Sequence, residues 1–136
     1  MKPAPLIVLL LSVLGACSSA PKQIVQGEKY PDKIRRAGSV DIQVFRHDTD
    51  IEFTNTTARS FGPSTLWLNG RFSHRLDGLA LGQTMKLPLK SFTDEFGEHF
   101  RGGGFFATQR PERLGLAELQ TGDELLGLIV VGNEEP

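Results

Sequence analysis

Residues 64–76, STLWLNGRFSHRL, decide the fold class. Asn69-Gly70 is a dipeptide in which both residues accept positive φ, as the two-residue turns that match strand twist require. It stands between residues 65–68 and 71–76, so the stretch predicts a tight hairpin with Trp67 in a central apolar strand. Outward from it the same period of two recurs. Val40, Ile42 and Val44 alternate with Asp41 and Gln43, and Ile51 and Phe53 alternate with Glu52 and Thr54. Met85, Leu87 and Leu89 alternate with Lys86 and Pro88. Successive side chains of a strand point to opposite faces, so each run reads as a half-buried strand. Pro88 has no amide to give a ladder, which places its strand at an edge or ends it early. FTDEFGEHF, residues 92–100, predicts a second hairpin turning near Gly97, and further strands are expected over 104–109, 114–120 and 124–131.

Breakers separate these runs: HDTD at 47–50, FGP at 61–63, Asp77-Gly78, and TGD at 121–123. No long helical pattern interrupts them. The expected fold is all-β, a β-sandwich of about seven to nine short antiparallel strands. Trp67 in a central strand is similar to the tryptophan of immunoglobulin-like sandwiches, although the paired cysteines of antibody domains are absent. FTNTT (53–57) followed by LWLNGRF (66–72) resembles small uncharacterised bacterial envelope proteins, a likeness that brings no function with it.

LIVLLLSVLGACSSA, residues 6–20, holds the single cysteine, Cys17. The apolar run from Leu6 to Leu14 would span ~14 Å as a helix, about half of a ~30 Å hydrocarbon core, so it cannot cross a bilayer. Met1 and Lys2 before it and small residues after it fit a secretory signal. Leu14-Gly15-Ala16-Cys17 at its end resembles the lipobox of bacterial lipoproteins. That resemblance covers residues 1 to about 20. It implies cleavage between Ala16 and Cys17, a diacylglyceryl group on the cysteine sulfur, and acylation of the new amino terminus. The competing reading is an ordinary signal cut after Ala20, with Cys17 discarded. An exported chain with one cysteine has no intrachain disulfide to form, and two or three acyl chains on one residue anchor stably where one does not. The expected organisation is a signal peptide over 1–16, a lipidated N-terminus and basic tether over 17–38, and a β-sandwich domain over 39–136. The expected location is the cell envelope, lipid-anchored and facing the periplasm or the surface. Ser18 after the cysteine favours the outer membrane in a host that has one.

Charge divides along the same boundary. Residues 18–38 carry five basic residues against two acidic ones, and residues 39–136 carry nine against fourteen. An acidic domain is a poor ligand for phosphate backbones, so nucleic acid is not an expected partner.

Chemistry leaves little trace. His47, His74 and His99 have no i, i+4 partner, and no thiolate remains beside them for a metal. Asp94, Glu95, Glu98 and His99 read as a solvated acidic turn without calcium-loop spacing. No GxSxG elbow exists, and GGGFFA at 102–107 precedes an expected strand rather than the helix a phosphate cradle should open. No catalytic residue, metal or cofactor is expected. What rises above background is apolar excess: in Leu66-Trp67-Leu68, Phe105-Phe106 and LIVV at 128–131, adjacent strand residues send something apolar away from the core. Trp67 is expected to be core. Of Phe105 and Phe106, one ring is expected inside and one outside. Phe105, Phe106 and Trp67 are the candidate interface for an envelope protein. A small-ligand or glycan binder with Trp67 or Tyr30 as a stacking platform is the alternative, and a hydrolase a more distant one.

Overall fold

The computed structural model describes residues 26–132, together with Pro3. Cys17, the rest of the expected signal peptide and the tether as far as Val25 lie outside the described residues. The chain forms β1 (Arg35–His47), β2 (Asp50–Thr54), β3 (Ser64–Leu68), β4 (Phe72–Leu76), β5 (Thr84–Pro88), a short 3-10 turn (Leu89–Ser91), β6 (Ala117–Thr121) and β7 (Glu124–Val131). The fold is all-β. The strands make one sheet in the order β4-β3-β6-β7-β1-β2-β5, curled into a half-barrel.

Local reading carries over strand by strand. Asn69 and Gly70 take φ of 54° and 63° and Arg71 N–H closes the turn on the Leu68 carbonyl at 3.1 Å, so β3 pairs with β4 in the expected register. Asp48 at φ 53° turns β1 into β2, and Gly122 at φ 53° turns β6 into β7. Ile42 and Val44 are buried while Asp41 and Gln43 are exposed. β5, ending at Pro88, is an edge strand.

Three expectations are corrected. The arrangement is not purely antiparallel, because β1 and β7 run parallel, Arg35 opposite Glu124 and Phe45 opposite Val131. A parallel neighbour needs a long crossover, and here the whole of residues 48–123 supplies it. No strand occupies 104–109: Gly103 and Gly104 take φ of 85° and 109°, a backbone that turns the chain out of any sheet. The expected second hairpin is reduced to single bridges, Ser73 to Thr93 and Thr93 to His99, around a turn with Gly97 at φ 85°.

Inside the curl lies one apolar cluster. Ile42, Val44, Ile51, Phe53, Leu66, Leu68, Phe72, Leu119 and Leu126 face it from the strands. Leu79, Leu89, Phe92, Phe100 and Leu114 close it from the irregular segments between β4 and β6. The opposite face of β3, β4 and β6 is covered by residues 27–34, which run across it before β1 begins. Gly27 N–H donates to the Asp94 carbonyl at 2.8 Å and Glu28 N–H to Ser73 Oγ at 3.1 Å, while Arg75 Nε donates to Glu28 Oε1 at 2.7 Å. Tyr30 then sets its ring edge-on to Trp67, centroids 5.3 Å apart at 89°. Its hydroxyl donates to Glu118 Oε2 at 2.6 Å and accepts from Arg36 Nη2 at 3.0 Å, and Arg36 Nη1 reaches Glu118 Oε1 at 3.1 Å. Trp67 Nε1 donates to Gln120 Oε1 at 2.8 Å. Both faces around Trp67 are therefore covered, and its exposure is 0%.

Removing a buried indole leaves a cavity, so Trp67→Ala should cost ~3–5 kcal/mol in denaturant-monitored unfolding. A loss under ~1 kcal/mol would mean that the strap does not bury it.

A second outcome follows from Tyr30. Burial, the hydrogen bond to Glu118 and the Glu118 charge push its hydroxyl up from 10.0 to about 12. A raised folded value means that the native state holds the proton longer. The associated stability is present in full below pH 10.0 and is lost as pH rises toward about 12. Tyr30 is the only tyrosine, so tyrosinate absorbance reports this group alone. A native-state midpoint at the ordinary tyrosine value would show the strap open.

Candidate functional site

Phe105 and Phe106 stand at the tip of a loop, residues 101–116, that leaves the core beside Phe100 and returns to it at Leu114. Both rings are outside, with exposures of 95% and 91%. The expectation of one ring in and one out fails because it assumed a strand, and the two glycines before the pair have turned the chain away from the sheet. The rings touch each other edge to face, centroids 5.0 Å apart, and Ala107 N–H closes the tip on the Gly104 carbonyl at 3.0 Å.

The base of the loop is held from three sides. Glu112 N–H donates to the Arg101 carbonyl at 2.9 Å, joining the two legs. Arg46, from β1, reaches the same place: Nη1 donates to the Glu112 carbonyl at 2.5 Å, Nη2 to the Gly102 carbonyl at 3.0 Å and Nε to the Asp48 carbonyl at 3.1 Å. Its guanidinium lies 5.9 Å from the centre of the Phe100 ring. Burial pulls the Arg46 pKa down from its ordinary value, against the Asp48 charge that raises it. On the returning leg Asn69 Nδ2 donates to the Arg113 carbonyl at 2.7 Å, and Asn69 Oδ1 accepts from Gly115 N–H at 2.9 Å and Leu116 N–H at 3.2 Å. The asparagine that turns the hairpin thus docks the loop as well.

The neighbouring turn is organised by Asp94, which is buried rather than part of a solvated acidic turn. Its Oδ2 accepts from Arg71 Nε at 2.9 Å and Nη2 at 2.7 Å, and its Oδ1 accepts from the amides of Phe96 at 3.0 Å and Glu98 at 2.8 Å. Burial works against the charge, but Arg71 and the two amides outweigh it and hold the carboxyl below its usual range. Arg71 also pairs with Glu98. Among the described residues no three of His, Cys, Asp and Glu come together to hold a metal ion, and every buried side-chain polar atom has a partner.

The sequence-derived candidates are thus separated. Phe105 and Phe106 share one tip, whereas Trp67 lies under Tyr30, where it presents no face to a partner or a sugar. In LIVV, Leu128 faces the core and Ile129 points outward. An open recess of about 470 Å³ between β1 and the 57–59 turn holds Glu124 between Arg35 and Arg59, 3.9 Å from each. Arg46 was missed, yet its parity marks it: it shares the inward register of Ile42 and Val44.

Arg46→Met keeps the aliphatic stem and removes the ties to three carbonyls. Unfolding free energy should fall by ~1–3 kcal/mol, and chymotryptic cutting after Phe105 or Phe106 should quicken severalfold as the legs part. Unchanged cutting would show that Arg46 does not hold the loop. Compared with protein-family models, with curated proteins and with solved structures, the chain matches none.

Proposed function

We propose that this protein is a non-catalytic interaction module of the cell envelope, held to a membrane by lipid on Cys17, and that the Phe105–Phe106 loop is its docking element. The observation that carries the reading is the contrast within that loop. Two large apolar side chains are almost wholly exposed at the tip, while the base is tied by Arg46, Glu112 and Asn69. Exposed rings add nothing to the core, and a rigid base lowers the entropy lost when they are bound. The curled sheet stands in this reading for the immunoglobulin-like sandwich, a scaffold that projects loops from its ends. The lipid places the domain against the envelope, on the outer membrane where the host has one and Ser18 follows the anchor.

A small-ligand or glycan site remains the second reading and would use the recess by Arg35 and Arg59. Trp67 cannot serve it while Tyr30 covers the ring.

A photo-reactive amino acid at Phe106, in intact cells, should yield a discrete adduct with another envelope component. The same group at Leu81, an apolar side chain 57% exposed elsewhere on the domain, should not. Phe105→Ala with Phe106→Ala should leave stability within ~0.5 kcal/mol of the unaltered chain and abolish docking of the domain. Equal labelling from both positions would remove the loop from its proposed role.

A further inference from the structure

The same loop, on the reading that Cys17 carries lipid, has a definite acceptor: we infer that Phe105 and Phe106 insert into the acyl border of the bilayer that holds the anchor. Three observations converge on it. The first is reach. Gln26 lies nine residues after Cys17, so the span between them is at most ~32 Å at 3.3–3.6 Å per residue. At Gly27 the chain is bonded to Asp94, on the turn that leads through His99 and Phe100 into the loop. The lipid therefore brings this end of the domain to the membrane. Phe96, on that turn, is also exposed.

The second is charge. Arg101, Arg110 and Arg113 flank the pair against Glu112, in a domain that otherwise carries more acidic than basic residues. Anionic headgroups attract this stretch, as they attract Lys29, Lys33, Arg35 and Arg36 of the strap and the start of β1. The acidic residues around the loop are largely paired: Glu112 with Arg101, Glu98 with Arg71, and Asp50, beside Gly102 and Gly103, with Lys86.

The third is area. Two phenylalanines supply on the order of 300–500 Å² of apolar surface, short of the ~800 Å² per partner of a standard protein interface. A bilayer asks for no matching surface, and shallow burial of a few aromatic rings beside basic residues is how peripheral elements hold to it.

The test uses the full processed chain in vesicles of phosphatidylethanolamine and phosphatidylglycerol, with bromine on part of the acyl chains. Phe105→Trp adds an emitter at the tip, and Phe106→Trp repeats the measurement from the adjacent position. Trp67 is buried, so its emission in the unaltered chain should resist quenching and report an intact domain. The added emission should shift to the blue and be quenched, more in these vesicles than in phosphatidylcholine. Unshifted, unquenched emission overturns the inference, while a mass spectrum showing acylated Cys17 keeps the anchor. If the mass spectrum shows no acyl group the anchor reading fails, and quenching on that chain still decides for or against insertion. Adducts from position 106 in intact cells that contain protein and no lipid also overturn it.

Discussion

Glu118 is a buried carboxylate on the outer face of a central strand, and that placement sets terms for much of the molecule. A charge taken out of water must be hydrogen-bonded and paired, or it costs several kcal/mol. Its partners are not on neighbouring strands. They are Tyr30 and Arg36, residues that come before and at the start of β1. Satisfying Glu118 therefore lays residues 27–34 across β4, β3 and β6, and the same path covers Trp67. The strap continues into β1, which pairs in parallel with β7 next to β6, the strand that bears Glu118. Outer face, sheet order and start of the domain are linked through one side chain.

The loop that runs into β6 just before Glu118 obeys a different economy. Loops are generally the mobile parts of a fold, yet this one is bound at its base by main-chain and side-chain donors from β1 and from the β3–β4 turn. Arg46 spends its three directions of hydrogen bonding on carbonyls of the β1–β2 turn and of both legs of the loop, which is the kind of planar, multi-armed contact that arginine makes and lysine does not. The tip is left with glycines, two aromatic rings and the Ala107–Gly104 main-chain bond.

Much of the sheet was legible because it is locally encoded. Asn69-Gly70 named its turn, the alternation around Ile42 and Ile51 named the inward face, and Pro88 named an edge. The parallel β1–β7 pair was not legible, since partner choice between strands far apart in the chain leaves no mark on either run. The strand expected over 104–109 failed for the opposite reason: adjacent phenylalanines mimic a strand, and only the left-handed glycines before them show that the chain has turned away. The exposed pair itself stood out as apolar excess. Its clamp did not, because Arg46 was passed over at an inward position, and Asp94 was read by its charge alone. The strap was read as tether because a basic stretch with few apolar residues gives no sign that one tyrosine will find a buried carboxylate.

The strap also decides how the domain answers a mechanical load. Tension applied through the chain ahead of Gln26 meets the Gly27–Asp94 bond first, then Glu28 with Ser73 and Arg75, and only then Tyr30 with Glu118. These ties lie in series and peel one after another. β1 comes last, paired with β7 from Arg35 to Phe45 across two register shifts and with β2 over Val44 to His47. A domain tethered in this way lengthens by releasing its strap before it gives up its sheet, and the first event that light would detect is the parting of its one tyrosine from its one tryptophan.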